Sequence, residues 1–65
     1  MEALLFDIDR YERSDLDWMN ENELYGLAMN GEVDETRVYS LAEFQEALND
    51  QDVDIDGYWV YFINN

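Results

Sequence analysis

Seventeen Asp and Glu against three Arg, with no Lys and no His, give this 65-residue chain a formal charge of −14. Charges of one sign at this density oppose compaction, so such a chain folds only if it can bury enough apolar surface. Here 48% of the residues are apolar and 15% are aromatic. We therefore predict a single folded domain over residues 1–65, close to the lower size limit for a domain with its own core.

The charge also restricts the partners of the chain. Nucleic acid and anionic membranes are polyanions, so no direct contact with either is expected. Basic proteins and divalent cations are the remaining partner classes. Residues 1–7 lack the basic and long apolar regions of a signal peptide, and no apolar run approaches the ~20 residues of a membrane span. The expected location is the cytoplasm.

The first half of the chain predicts a strand followed by a helix. Residues 3–9 alternate as in a half-buried strand. Its apolar side is formed by Leu4, Phe6 and Ile8, and its mixed side by Leu5, Asp7 and Asp9. Asn20 has the spacing to Glu23 that begins a helix, and the Asn-Gly pair at 30–31 tolerates the left-handed backbone that ends one. We therefore expect a helix over residues 21–29.

The second half predicts a strand, a helix and a final strand. Residues 36–39 are a short β-prone run, and Ser40 with Glu43 matches a capping box that begins a helix over Leu41–Asn49. The segment Tyr58–Ile63 is apolar or aromatic throughout, as in strands covered on both faces. The predicted fold class is α+β, in the order β-α-β-α-β, with a three-stranded sheet and two short helices on one face.

With both helices on one face, the other face of the sheet would lie in water. An uncovered aromatic face on a small domain is typical of an interface, so we expect a homodimer. The predicted interface residues are Tyr58, Trp59, Tyr61 and Ile63. Periodicity also predicts a core of Leu4, Phe6, Leu24, Leu27, Phe44, Leu48, Val60 and Phe62.

The segment 52–57, Asp-Val-Asp-Ile-Asp-Gly, has carboxylates at alternate positions before a Gly. In this it resembles the first half of an EF-hand calcium loop. The resemblance implies a weak calcium site with the ligands Asp52, Asp54 and Asp56. Ile63 stands where the family has a bidentate Glu at loop position 12. The simpler interpretation is that Val53 and Ile55 pack inward while the carboxylates face water.

No enzymatic activity is expected, because the chain has no His or Cys to activate a nucleophile and no Gly-rich phosphate loop. No cofactor is expected beyond weakly bound calcium. The first functional hypothesis is a non-catalytic interaction module that binds a basic partner. The alternatives are a weak divalent-cation binder and a DNA mimic. For the DNA mimic, alternate carboxylates on an extended segment lie roughly 6.6 Å apart, about twice the ~3.4 Å rise per phosphate of one DNA strand.

Overall fold

The structure, a computed structural model, describes residues 1–64. Its elements are β1 (Glu2–Asp7), α1 (Arg13–Leu16), α2 (Glu21–Asn30), β2 (Thr36–Ser40), α3 (Leu41–Asn49) and β3 (Tyr58–Ile63). A 3₁₀ turn over Ile55–Gly57 precedes β3. The α+β class, the three-stranded sheet and the order of the predicted elements are confirmed. The sequence suggests no more than an irregular turn over residues 15–19, where the structure has the single helical turn α1.

The sheet has the order β2-β1-β3, and β1 runs antiparallel to both neighbours. Leu5, at the centre of β1, lies opposite Arg37 on one side and Val60 on the other. The four central residues of β1, Ala3 to Phe6, are 0% exposed. The first strand is therefore buried on both faces rather than on one, and Ile8, which was expected to continue its apolar side, lies beyond the strand and is exposed.

The helices cover opposite faces of the sheet. Leu4 and Phe6 pack with residues of α1 and α2, whereas Leu5 packs with Phe44 and Ala47 of α3. The expectation that two helices lie on one face is therefore wrong. The physical reason lies in β1, whose alternating side chains are apolar in both directions, so each face of the sheet requires its own apolar layer.

The predicted core is correct at its centre and wrong at one edge. Leu4, Phe6, Leu24 and Phe44 are buried, and the half-buried core residues are Leu27, Leu48 and Val60. Phe62 is 52% exposed, because it lies on an outer strand, and its ring meets that of Phe44 at 5.9 Å between centroids. The buried residues that periodicity missed are Ala3, Leu5, Leu16, Ala28, Thr36, Ala47 and Ile63.

Both predicted helix starts are confirmed. The Asn20 side chain accepts a hydrogen bond from the Glu23 amide at 2.9 Å. Ser40 Oγ accepts from the Glu43 amide at 3.2 Å, and Glu43 Oε1 accepts from the Ser40 amide at 3.1 Å. Hydrogen bonding of the Glu43 carboxylate to Ser40, first to its side chain and then to its backbone amide, lowers the pKa of Glu43 from its ordinary value. The longest helix, α2, has ten residues, so no helix within residues 1–64 is long enough to cross a bilayer.

Candidate functional site

Three loops meet at the end of the sheet where β1 finishes and β3 begins. The Asp7 amide donates to the Glu35 carbonyl at 2.9 Å, which joins the end of β1 to the loop before β2. The Ile8 amide donates to the Gly57 carbonyl at 3.1 Å, which joins it to the loop before β3. Backbone hydrogen bonds therefore hold residues 7–10, 31–35 and 50–57 side by side.

These loops carry nine of the seventeen acidic residues and one Arg, Arg10. We call this surface the acidic end. Its acidic residues are Asp7, Asp9, Glu32, Asp34, Glu35, Asp50, Asp52, Asp54 and Asp56. The helices α2 and α3 also finish here, and neither has a basic residue in its last turn. Because the C-terminus of a helix carries a partial negative charge, both helices add to the negative potential of the acidic end.

Aspartate side chains shape two of the turns at the acidic end. Asp7 Oδ1 accepts from the Asp9 amide at 2.7 Å, and Asp54 Oδ1 accepts from the Asp56 amide at 3.1 Å. Short carboxylate side chains favour turns by bonding amides two residues ahead. Val53, 7% exposed, anchors the loop 50–57 against the α3 face. The carboxylates of these loops therefore project from a backbone whose conformation is fixed by hydrogen bonds and by the burial of Val53.

The three predicted calcium ligands, Asp52, Asp54 and Asp56, lie exposed in one loop. Within residues 1–64, no group of three or more Asp, Glu, His or Cys side chains is placed to hold a metal ion. Asp54 instead caps the 3₁₀ turn. That turn also interrupts the extended row of carboxylates on which the DNA-mimic spacing depended. Val53 is buried as expected, whereas Ile55 is 47% exposed rather than packed inward.

The predicted interface residues pack against the chain itself. Ile63 is 1% exposed and belongs to the core, and Tyr58, Trp59 and Tyr61 are half-buried. The indole Nε1–H of Trp59 donates to the Tyr11 carbonyl at 2.9 Å. Helices of the chain cover most of both faces of β3, and the ring of Phe62, 52% exposed, is partly open. Within residues 1–64 the sheet therefore has no fully uncovered face of the kind from which the dimer was predicted.

The segment between β1 and α2 covers part of the sheet, which the sequence pattern did not indicate. Leu16, in α1, is 1% exposed and joins the core beside Phe6. Asp17, just after α1, accepts a hydrogen bond from the Tyr61 hydroxyl at 2.6 Å. Burial, together with this bond, raises the pKa of Tyr61. The apolar residues Leu16 and Met19, three apart, are the sequence signal that could have indicated a buried turn here.

The two Arg that contact aromatic rings flank the start of β3. The Arg13 guanidinium lies 5.9 Å from the Trp59 ring centroid, and that of Arg37 lies 5.8 Å from the Tyr58 ring centroid. The Arg37 guanidinium also donates a hydrogen bond to the Tyr39 hydroxyl at 3.1 Å. This bond raises the pKa of Arg37. The surface of the chain is therefore more negative at the loop carboxylates than beside these two rings.

We expect the melting temperature to rise with added salt. Seventeen acids face three Arg, so screening weakens a net repulsion that opposes folding. The melting temperature should also rise as pH falls from about 7 to about 5. It should then decline once Glu43 is protonated, because a carboxyl with a lowered pKa stabilises the fold only while it is charged. Thermal melts followed by circular dichroism in about 20 mM and about 500 mM NaCl test the salt effect. A lower midpoint in high salt would show that attractive pairs such as Arg13–Asp17 dominate.

No protein-family model, curated protein or solved structure matches this chain.

Proposed function

We propose that the protein is a non-catalytic interaction module whose acidic end binds a basic protein surface. The observation that supports this function is the convergence of three acidic loops, held together by the Asp7–Glu35 and Ile8–Gly57 backbone hydrogen bonds. Loops that are already shaped lose little conformational entropy when they bind. A concentrated negative potential also accelerates the encounter with a positive surface.

The chemistry of the acidic end favours Arg and Lys side chains as the groups recognised. Carboxylates accept two parallel hydrogen bonds from one guanidinium, which gives both energy and orientation. Asp34 and Asp52 lie on different loops of the acidic end and are both exposed, so one basic segment could bridge them. The spread of the carboxylates suits several separate cationic groups better than one metal ion, which needs converging ligands.

The test measures binding of a fluorescent octa-arginine peptide by anisotropy at about 50 mM and about 150 mM NaCl. The test variant is Glu32→Gln/Asp34→Asn/Asp52→Asn, which removes three exposed charges from the acidic end. We expect it to weaken binding roughly tenfold, since each screened pair contributes about 0.2–1 kcal/mol.

The matched control is Asp15→Asn/Glu21→Gln/Glu46→Gln, which removes three exposed charges from the helices instead. Both variants change the net charge by the same amount, so net charge cannot account for a difference between them. We expect the control to retain most of the affinity of the parent protein. Equal losses in the two variants would mean that the peptide responds to net charge alone, and the proposal would then fail. Absence of binding by the parent protein at the lower salt concentration would also overturn it.

A further inference from the structure

The outer edge of β3 carries backbone groups that point away from the sheet. In an antiparallel ladder, successive residues direct their N–H and C=O groups alternately to one neighbour and to the other side. The Ile8–Gly57 bond and the pairing of Phe6 with Trp59 fix this alternation for β3. The residues directed toward β1 are Trp59, Tyr61 and Ile63. The residues directed outward are Tyr58, Val60 and Phe62.

The two outer strands differ in how the chain closes their edges. On β2, the outward amide of Thr36 donates to the Glu32 carbonyl at 3.0 Å, and that of Ser40 donates to Glu43 Oε1 at 3.1 Å. On β3, within the described residues 1–64, only the first outward amide, that of Tyr58, is taken up in this way, by the Ile55 carbonyl. Lys, Pro and inward charges usually guard an edge strand against pairing, and β3 has none of them. The edge of β3 is therefore the more open one.

The sequence of β3 is self-complementary about Val60. Read outward from Val60, the neighbours are Trp59 and Tyr61, and then Tyr58 and Phe62. Val60 directs its backbone groups outward, so a two-fold axis can pass through a hydrogen-bonded pair of Val60 residues. Positions 58, 59, 61 and 62 then each place one aromatic ring opposite another, and such cross-strand pairs are stabilising.

We propose that two copies of the chain pair antiparallel along β3, with the two-fold axis at Val60. The Val60 amides donate to the Val60 carbonyls across the axis, and each Phe62 amide donates to the Tyr58 carbonyl of the second copy. The exposed ring of Phe62 is covered by Tyr58 of the second copy. Ile63, buried in its own core, takes no part in the interface.

The distribution of charge favours this arrangement of the second copy. In an antiparallel pair, the start of β3 in one copy lies beside the end of β3 in the second copy. The acidic end of one copy, which precedes Tyr58, is therefore next to Asn64 of the second copy, which follows the strand. The two acidic ends therefore point in opposite directions, which limits the repulsion between two chains of charge −14. An open groove of about 280 Å³ runs along this edge with a single charged side chain in its wall. It is lined by Arg13, Ile55, Tyr58, Trp59, Val60 and Tyr61.

Sedimentation equilibrium at about 100 µM protein in about 300 mM NaCl tests the pairing, since salt screens the repulsion. We expect a mass near twice the 7.8 kDa of one chain for the parent protein. Phe62→Lys places a charge on the paired edge and should give a monomer. Met29→Lys is the matched control, because Met29 is 56% exposed and Phe62 52% exposed, and both changes add one positive charge. The control should remain a dimer.

Amide hydrogen exchange followed by NMR gives a second readout that needs no substitution. Raising the protein concentration should slow exchange at Val60 and Phe62, whose amides point outward. It should leave Trp59 and Tyr61, already bonded to β1, and Val38, on the edge of β2, unchanged. A monomeric parent protein at about 100 µM, equal behaviour of Phe62→Lys and Met29→Lys, or slowing at Val38 instead of Val60 would each overturn the proposal.

Discussion

Replacement of Phe6 by Ala is expected to leave most of the protein unfolded at room temperature. Phe6 is 0% exposed in the central strand, and its ring meets those of Tyr11 and Tyr61 edge-on, at 5.4 Å and 6.0 Å between centroids. Truncating such a ring costs roughly 3–5 kcal/mol. A small domain has a total stability near or below the lower end of the ~5–15 kcal/mol range. Far-UV circular dichroism and urea titration measure the loss.

Ile8→Ala is the matched control for Phe6→Ala. Ile8 is the next residue on the same predicted side of the chain, but it lies beyond β1 and is 40% exposed. Its truncation should cost less than about 1 kcal/mol. A Phe6→Ala variant that melts within a few degrees of the parent protein would contradict the placement of Phe6 at the centre of the core.

Gly31→Ala is expected to destabilise the protein by about 1–3 kcal/mol, as overpacking does. The sequence suggested that Gly31 ends α2 by adopting a left-handed conformation, but its φ is −75°. Gly31 is required for a different reason. A Cβ placed there would clash with Oγ1 of Thr36 and lie 2.7 Å from its Cγ2. Thr36 is itself 5% exposed, and its hydroxyl donates to the Ala28 carbonyl at 2.7 Å. Urea titration of the variant gives the cost.

A double-variant cycle isolates the contact between positions 31 and 36. Thr36→Ala removes both atoms that a Cβ at position 31 would meet first, and it also removes the buried hydrogen bond to Ala28. In the Thr36→Ala background, Gly31→Ala should therefore cost clearly less than it does alone, because residues in contact are not additive. Strictly additive costs would show that Gly31→Ala acts through the backbone rather than through Thr36.

The elements that could be predicted were those with local signals. The capping box of Ser40 and Glu43 depends on atoms three residues apart, so it is readable in the sequence, and α3 begins where the box predicts. The uninterrupted apolar run of β3 likewise predicted its bounds, Tyr58–Ile63. The sequence shows the acidic residues of the acidic end as separate stretches, and it does not indicate that these stretches lie together.

The features that escaped prediction depend on residues distant in the sequence. Leu5 lies on the mixed side of the predicted alternation in β1. It is nevertheless buried, because Phe44 and Val53, far along the chain, pack with it. The helices cover both faces for the same reason. The acidic end exists because Asp7 bonds to Glu35 and Ile8 to Gly57, and no local spacing indicates either contact. The role of Gly31 depends on where Thr36 returns to the sheet.

The central position of β1 has a consequence for how the chain acquires its fold. Both of its neighbours in the sheet follow it in the sequence, and its pairing with β3 joins Glu2 to Ile63. Contacts of such long range slow folding, because the loop must close before any of them forms. One edge of β1 therefore stays unpaired until β3 has been synthesised. During that interval the dense negative charge of the intervening segment keeps chains apart, so the repulsion that weakens the native state also protects the nascent one from aggregation.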